Sequence, residues 1–139
     1  MDSYEPITLT ASATLGDVHV GTVVMLNAAA GLTVTLPAAS GTGRVFKIVV
    51  GTTVTSNGYV IKVASASDII QGALGVTTDA AGVVIPTAAD SDTITMNGST
   101  TGGVKGSTVI LSDVASGVWA VGGALVSTGV EATPFSAAV

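Results

Sequence analysis

The sequence predicts an all-β fold, and three observations support that class. The 139 residues are 47% hydrophobic and only 4% aromatic. Val, Ile and Thr are frequent, and their branched β-carbons suit a pleated sheet better than a helix. Apolar and polar residues alternate in short runs, which is the period of a half-buried strand. The chain also holds 18 glycines, many of them in clusters typical of turns.

The amino-terminal third supplies the first strand candidates. Ile7–Thr10 and Val18–Leu26 have β-type composition. The stretch LTVTLP, residues 32–37, is better defined because three apolar side chains alternate with two threonines. Its proline has no amide hydrogen and is expected to end the pairing.

Residues 44–64 are expected to form a β-hairpin. Phe46 and Ile48 share one face of the first predicted strand, and Lys47 lies on the other face. The Asn57-Gly58 pair favours a hairpin turn because both residue types tolerate positive φ. We therefore expect Phe46 and Ile48 to lie in the core or in a subunit interface.

The remaining strand candidates follow at close intervals and are separated by turn clusters. They are Asp68–Gln71, Gly82–Ile85, Asp92–Met96, Ser107–Leu111 and Val118–Val121. About ten short strands are typical of a β-sandwich, jelly roll or barrel. We expect a single domain, residues 1–139, folded as an antiparallel, jelly-roll-like β-sandwich. Trp119 lies in an alternating strand, which favours a core or trimer-interface position over a carbohydrate-stacking role.

The loop Gly41-Thr42-Gly43, followed by Arg44, has the composition of a phosphate-binding loop. Such a loop needs a following helix whose amino end faces the phosphate. Here the following residues, RVFKIVV, read as a strand, and the Gly-Lys-Ser/Thr ending is missing. We interpret the loop as a turn, with Arg44 either solvated or paired with a carboxylate.

The sequence shows no catalytic or metal-binding pattern. His19 is the single histidine, and Asp17 is the nearest acid, but no nucleophile motif accompanies them. Asp90 and Asp92 have the spacing of part of a calcium loop that lacks its glycine and closing glutamate. The chain has no cysteine. We therefore predict a protein without catalytic residues, metal or cofactor.

The charge balance limits the partners. The net charge is −5, and the four cations are spread along the chain. Binding to nucleic acid depends on several cations acting together, so neither nucleic acid nor an anionic membrane is expected as a partner. The amino terminus has no secretory signal pattern, and no run approaches the ~18 apolar residues of a membrane span. A mean hydropathy of +0.72 with 9% charged residues indicates surface that other chains cover.

Two stretches, residues 32–63 and 102–136, resemble the β-rich surface proteins of tailed-phage virions. The first has a strand ending in Leu-Pro, a glycine turn, an apolar strand and an Asn-Gly pair. The second has a Gly-Ser start, a strand, a turn and a W-x-V-x-G block. These features occur both in capsid decoration (cement) proteins and in head or tail fibre domains. The chain has no shaft repeat, which favours a decoration protein.

The resemblance implies a homotrimer on the outer surface of the phage head, bound to the major capsid protein and stabilising the shell against DNA pressure. The alternative is a tail or head fibre domain that binds a host-surface glycan. A glycan-cleaving enzyme is a third hypothesis, and the lack of a clustered acid pair counts against it.

The two chain ends are the candidate capsid contacts. Residues 1–10 are a possible amino-terminal arm, in which Ile7, Thr8, Leu9 and Thr10 would add a strand to a neighbour's sheet. Phe135 follows Pro134 among small residues, and we expect it to be exposed as an anchor for a partner's pocket. The alternative for both ends is a flexible tail.

Overall fold

Twelve β-strands and one short 3-10 helix make up residues 5–139, the part of the chain that the computed structural model describes. The 3-10 helix is Asp17–His19. The strands are β1 (Ile7–Leu9), β2 (Ala13–Thr14), β3 (Val23–Leu26), β4 (Leu32–Thr35), β5 (Val45–Val50), β6 (Tyr59–Lys62), β7 (Ile69–Thr77), β8 (Gly82–Pro86), β9 (Thr93–Met96), β10 (Thr108–Ala115), β11 (Val118–Val126) and β12 (Phe135–Ser136). The all-β prediction is confirmed.

The strands form two sheets of unequal size. The large sheet has seven strands in the order β1-β3-β5-β10-β11-β7-β8. The small sheet has five strands in the order β12-β9-β6-β4-β2. Buried side chains from both sheets make one hydrophobic cluster, so the arrangement is sandwich-like.

The prediction that the sheets are antiparallel is wrong, because both sheets are mixed. Strands β1 to β6 alternate between the sheets, and successive strands within each sheet lie parallel. The chain therefore winds through the two sheets as a short superhelix before hairpins such as β10–β11 complete the large sheet. This parallel winding departs from the antiparallel strand order of a jelly roll.

The predicted hairpin over residues 44–64 is also wrong. β5 lies in the large sheet beside β3 and β10, whereas β6 lies in the small sheet beside β4 and β9. Asn57 and Gly58 do have positive φ, at 58° and 71°. The turn that they form directs the chain into the small sheet, and the strands on either side do not pair.

The alternating apolar residues face the shared core, as predicted. Phe46 and Trp119 are fully buried, and their ring centroids lie 5.7 Å apart with an interplanar angle of 37°. Ile48 is 1% exposed. We expected Phe46, Ile48 and Trp119 in the core or in a subunit interface, and the core position is confirmed.

Several predicted strand bounds change in the structure. The stretch Val18–Leu26 becomes a strand only at Val23, because the His19 amide donates to the Gly16 carbonyl at 3.0 Å and forms a 3-10 turn. β10 and β11 extend four and five residues beyond their predicted ends at Leu111 and Val121. β2 and β12 have two residues each, too few for an alternation to be recognised.

Candidate functional site

The loop Gly41-Thr42-Gly43, which has the composition of a phosphate-binding loop, binds a carboxylate of the same chain. The Asp113 Oδ1 atom accepts hydrogen bonds from the amides of Ser40, at 3.0 Å, and Gly41, at 2.7 Å. Its Oδ2 atom accepts from the amide of Thr42, at 3.2 Å, and from the Thr42 hydroxyl, at 2.7 Å. Consecutive amides that converge on one anion form a nest of the kind that binds phosphate elsewhere. Here the nest is filled, so a structural role is confirmed for the loop, which has a bend at Gly41 and connects β4 of the small sheet to β5 of the large sheet.

The surroundings of Asp113 keep its carboxyl ionised. Its side chain is fully buried, and burial alone would raise its pKa. The hydrogen bonds from the Thr42 hydroxyl and from the amides of Gly41, Thr42 and Ser40 outweigh burial and hold the pKa of Asp113 below its ordinary value. Arg44 Nη2 lies 3.8 Å from Asp113 Oδ2, and its Nη1 lies 3.3 Å from Asp17 Oδ1. The expectation that Arg44 pairs with a carboxylate is confirmed.

Asp113 was missed in the sequence because it lies 72 positions from Gly41. The sequence of β10 did contain a signal that could have identified Asp113. Every second residue points inward there, and Asp113 follows Val109 and Leu111 in that series. A carboxylate at an inward position must find donors, and a distant glycine loop is a ready set of amides.

Asp17, His19 and Asp92, which the sequence offered as site candidates, have structural partners instead. The exposed Asp17 pairs with Arg44, and His19 Nδ1 accepts from the Gly16 amide at 3.0 Å. Asp92 is buried, and its Oδ1 accepts from the Thr93 hydroxyl and from the amide of Ala138, both at 2.8 Å. Within residues 5–139, no three His, Cys, Asp or Glu side chains cluster as metal ligands.

The proposed amino-terminal arm is, in its described part, an edge strand of the chain's own large sheet. β1 runs parallel to β3, and the Leu9 carbonyl accepts from the Asn27 amide at 2.9 Å. In a parallel strand, alternate residues bond to opposite sides, so the Thr8 amide and carbonyl point to the open edge. Thr10 is exposed, and residues 1–4 of the predicted arm lie outside the described residues.

The prediction that Phe135 is an exposed anchor is wrong. Phe135 is 8% exposed, and it pairs with Ile94 across β12 and β9. The Thr95 amide donates to the Pro134 carbonyl at 2.8 Å, and Asp92 holds the following residues through the Ala138 amide. These bonds keep the phenyl ring against the core.

Three surface grooves remain as binding candidates, and one of them, of about 460 Å³, is lined by loop residues at the ends of β7 and β11 such as Asp79 and Thr128. The other two lie on the two sheets. A mainly apolar groove of about 510 Å³ lies beside β3 and β5, and it is lined by Val20, Gly21, Thr22, Val23, Gly43, Val45 and Lys47. A polar groove of about 390 Å³ lies on the small sheet, and it is lined by Ser12, Ala13, Thr14, Thr33, Thr35 and Lys62. None of the three grooves brings an acid, a nucleophile and a base together. Their surfaces suit contact with a partner better than chemistry.

Comparison with known proteins does not assign the chain to a family. No family model matches it, and neither does any curated protein or solved structure. Within residues 5–139, no helix has the length and apolar character needed to cross a membrane.

Proposed function

We propose that the protein is a capsid decoration protein of a tailed phage, which binds the outside of the head as a homotrimer and holds neighbouring major capsid proteins together. The observation that carries the proposal is the open edge of β1. The sequence resemblance to virion surface proteins and the sandwich-like all-β fold also support it.

The open edge of β1 has the chemistry of a strand-addition site. Ile7–Leu9 carries no charge, and Leu9 packs against the core, which fixes the strand in place. Natural edge strands are commonly protected by charges or bulges. Among residues 5–139, no strand pairs with the outer side of β1, so the Thr8 amide and carbonyl can offer main-chain hydrogen bonds to an extended segment of the capsid protein.

Three copies of this edge make a useful clamp. A threefold oligomer matches a site where three capsid subunits meet. Each weak contact then raises the effective concentration of the others. Binding that prefers the expanded shell lowers the free energy of that state and slows the loss of capsid subunits.

The polar groove is the observation that favours the alternative, a fibre domain that binds a host glycan. Its hydroxyl groups and the Lys62 ammonium have suitable hydrogen-bonding capacity for a sugar. However, the aromatic side chains within residues 5–139 are all buried: Phe46, Tyr59, Trp119 and Phe135. None of these rings can stack on a sugar, so we prefer the decoration function.

Thr8→Pro tests the clamp directly. Proline removes the outward amide of β1 and leaves the Leu9–Asn27 hydrogen bond in place, and proline is tolerated on edge strands. We expect a folded protein that binds DNA-filled heads more weakly, by roughly 1 kcal/mol for each lost hydrogen bond. Head occupancy measured by cosedimentation would report the loss.

Thr8→Val is the matched control, because it changes the side chain and keeps the amide. It should bind heads as the unmodified protein does. Equal occupancy for the proline and valine variants would reject β1 as the clamp. Counting copies by electron microscopy separates the two functions: many copies over the head support decoration, whereas a few at the tail support a fibre.

A further inference from the structure

The outer faces of the two sheets differ sharply in chemistry. We define an outer face by the side chains that point away from the shared core. On the small sheet, the outward positions are rich in hydroxyl groups and include Thr14, Thr35, Lys62, Thr33 and Thr95, with Val60 between Thr33 and Thr95. Such a face is well suited to contact with water. No large hydrophobic side chain on this face is strongly exposed within the described residues.

The outer face of the large sheet is mostly apolar or small. One row across it consists of Met25, Val49, Thr108, Ala124, Gly75 and Val84. The next row consists of Val23, Lys47, Ile110 and Gly122. Lys47 is the one charged side chain among these ten positions. Val84, Val45 and Ile110 are 70%, 42% and 37% exposed, although they are large hydrophobic side chains.

We propose that the outer face of the large sheet is the surface through which copies of this chain associate with one another. We call this contact between copies the self-contact. The inference rests on the proposed function in one respect, namely that the protein is a homotrimer. Val45, Ile110 and Val84 are then covered by a second copy, and the hydroxyl-rich face of the small sheet stays in water.

The charge distribution identifies a second copy as the occupant. Identical chains with a net charge of −5 repel one another, so a surface without acids is the one on which a second copy meets the least repulsion. The solvated acids Glu5, Asp79 and Asp90 lie in loops and turns, and Asp17 lies in the 3-10 helix, all outside these rows. Asp113 points inward. Lys47 can extend its long side chain so that the ammonium group stays at the rim in water.

The area of this face can be compared with the area that a stable protein–protein interface buries. Strands about 4.8 Å apart and ~3.3 Å per residue give a face of about 29 Å by about 20 Å, or on the order of 600 Å² in projection. A stable interface buries ~800 Å² of accessible surface per partner, and accessible surface exceeds the projected area. The face is therefore of the size that a stable contact between two copies needs.

Ile110→Lys tests the inference at the centre of the face. We expect the unmodified protein to have an oligomeric mass by light scattering after size-exclusion chromatography. The variant should shift to the monomer mass at the same concentration, because a charge enters the contact. Val60→Lys is the matched control, since it places the same charge on an outward position of the small sheet, and it should leave the mass unchanged.

A labelling experiment avoids any charge substitution. The chain has no cysteine, so a single introduced thiol reacts without background. Ser112→Cys lies on the proposed contact face, beside Val45 and Ala120, and Thr33→Cys lies on the opposite outer face. In the oligomer, the thiol at position 112 should react with a bulky maleimide much more slowly than the thiol at position 33, and dilution to the monomer should remove the difference.

The outcomes separate this inference from the proposed function. A monomeric unmodified protein, or equal labelling of both thiols in the oligomer, would overturn the self-contact. A monomer whose Ile110→Lys variant loses head binding would show that the capsid covers this face instead, which also overturns it. A dimer protected at position 112 would support the self-contact and contradict the threefold symmetry. Head binding by Thr8→Pro reports separately on the clamp.

Discussion

Ile48→Asp is expected to abolish folding of the domain. Ile48 is 1% exposed and lies in the middle of the large sheet, in register with Val24 of β3 and Val109 of β10. An unpaired carboxylate there costs several kcal/mol, in addition to the lost packing. Since a domain has only about 5–15 kcal/mol of stability, most of it would be removed. Far-UV circular dichroism and the yield of soluble protein measure the effect.

Lys47→Asp is the control, because it puts the same carboxylate one residue away on the outer face. Although Lys47 lies on the proposed contact face, the change should keep the circular dichroism spectrum, because that spectrum reports on the fold of each chain and not on association. A folded, soluble Ile48→Asp variant would contradict the assignment of the inward face. Unfolding of both variants would show that β5 tolerates no acid on either face, and that the test reports on the strand and not on burial.

Sequence periodicity predicted the faces of the strands well and their partners poorly. Leu32, Val34 and Ile48 are buried because alternation is a local property of an extended chain. Pairing depends on which distant strands meet, and β4 and β5 take their parallel neighbours from other parts of the chain. The Asn57-Gly58 turn shows the limit: its backbone conformation was predictable, but the same turn serves a hairpin or a change of sheet.

The ends of the chain show a second limit of sequence reasoning. Phe135 was predicted to be exposed because its neighbours are small, yet the two-residue strand β12 buries it against β9. Such a short strand has no period to detect. The position of Ile7–Leu9 was predictable as a strand, but its pairing with β3 rests on contacts with residues 24–26.

Asp113→Asn is the second substitution with a large expected effect. The amide keeps the size of the side chain and leaves one acceptor oxygen for the donors of Ser40, Gly41 and Thr42. The new NH₂ group meets the Thr42 amide, which is also a donor. Hydrogen bonds to a charged group contribute about 1.5–3 kcal/mol each, so we expect a loss of ~3 kcal/mol in the free energy of unfolding at neutral pH. Urea unfolding followed by fluorescence of the buried Trp119 measures it.

Asp17→Asn is the matched control, because it makes the same change in an exposed carboxylate that also contacts Arg44. A surface ion pair of this kind contributes little, so its unfolding curve should overlay that of the unmodified protein. If Asp113→Asn unfolded at the same urea concentration as Asp17→Asn, the nest would not stabilise the fold.

Unfolding at low pH tests whether Asp113 stabilises the fold through its negative charge or only through the shape of its side chain. The pKa of Asp113 is lower in the folded chain than its ordinary value of 3.8, so the unfolded state takes up the proton first as the pH falls. The stabilisation is therefore complete above pH 3.8 and is lost progressively as the pH falls towards the folded pKa. The asparagine variant lacks this titration, so the stability gap between it and the unmodified protein should narrow on acidification. A gap that stayed constant down to the acid limit of folding would mean that the loop is held by shape alone, and that its amides do not act as an anion nest.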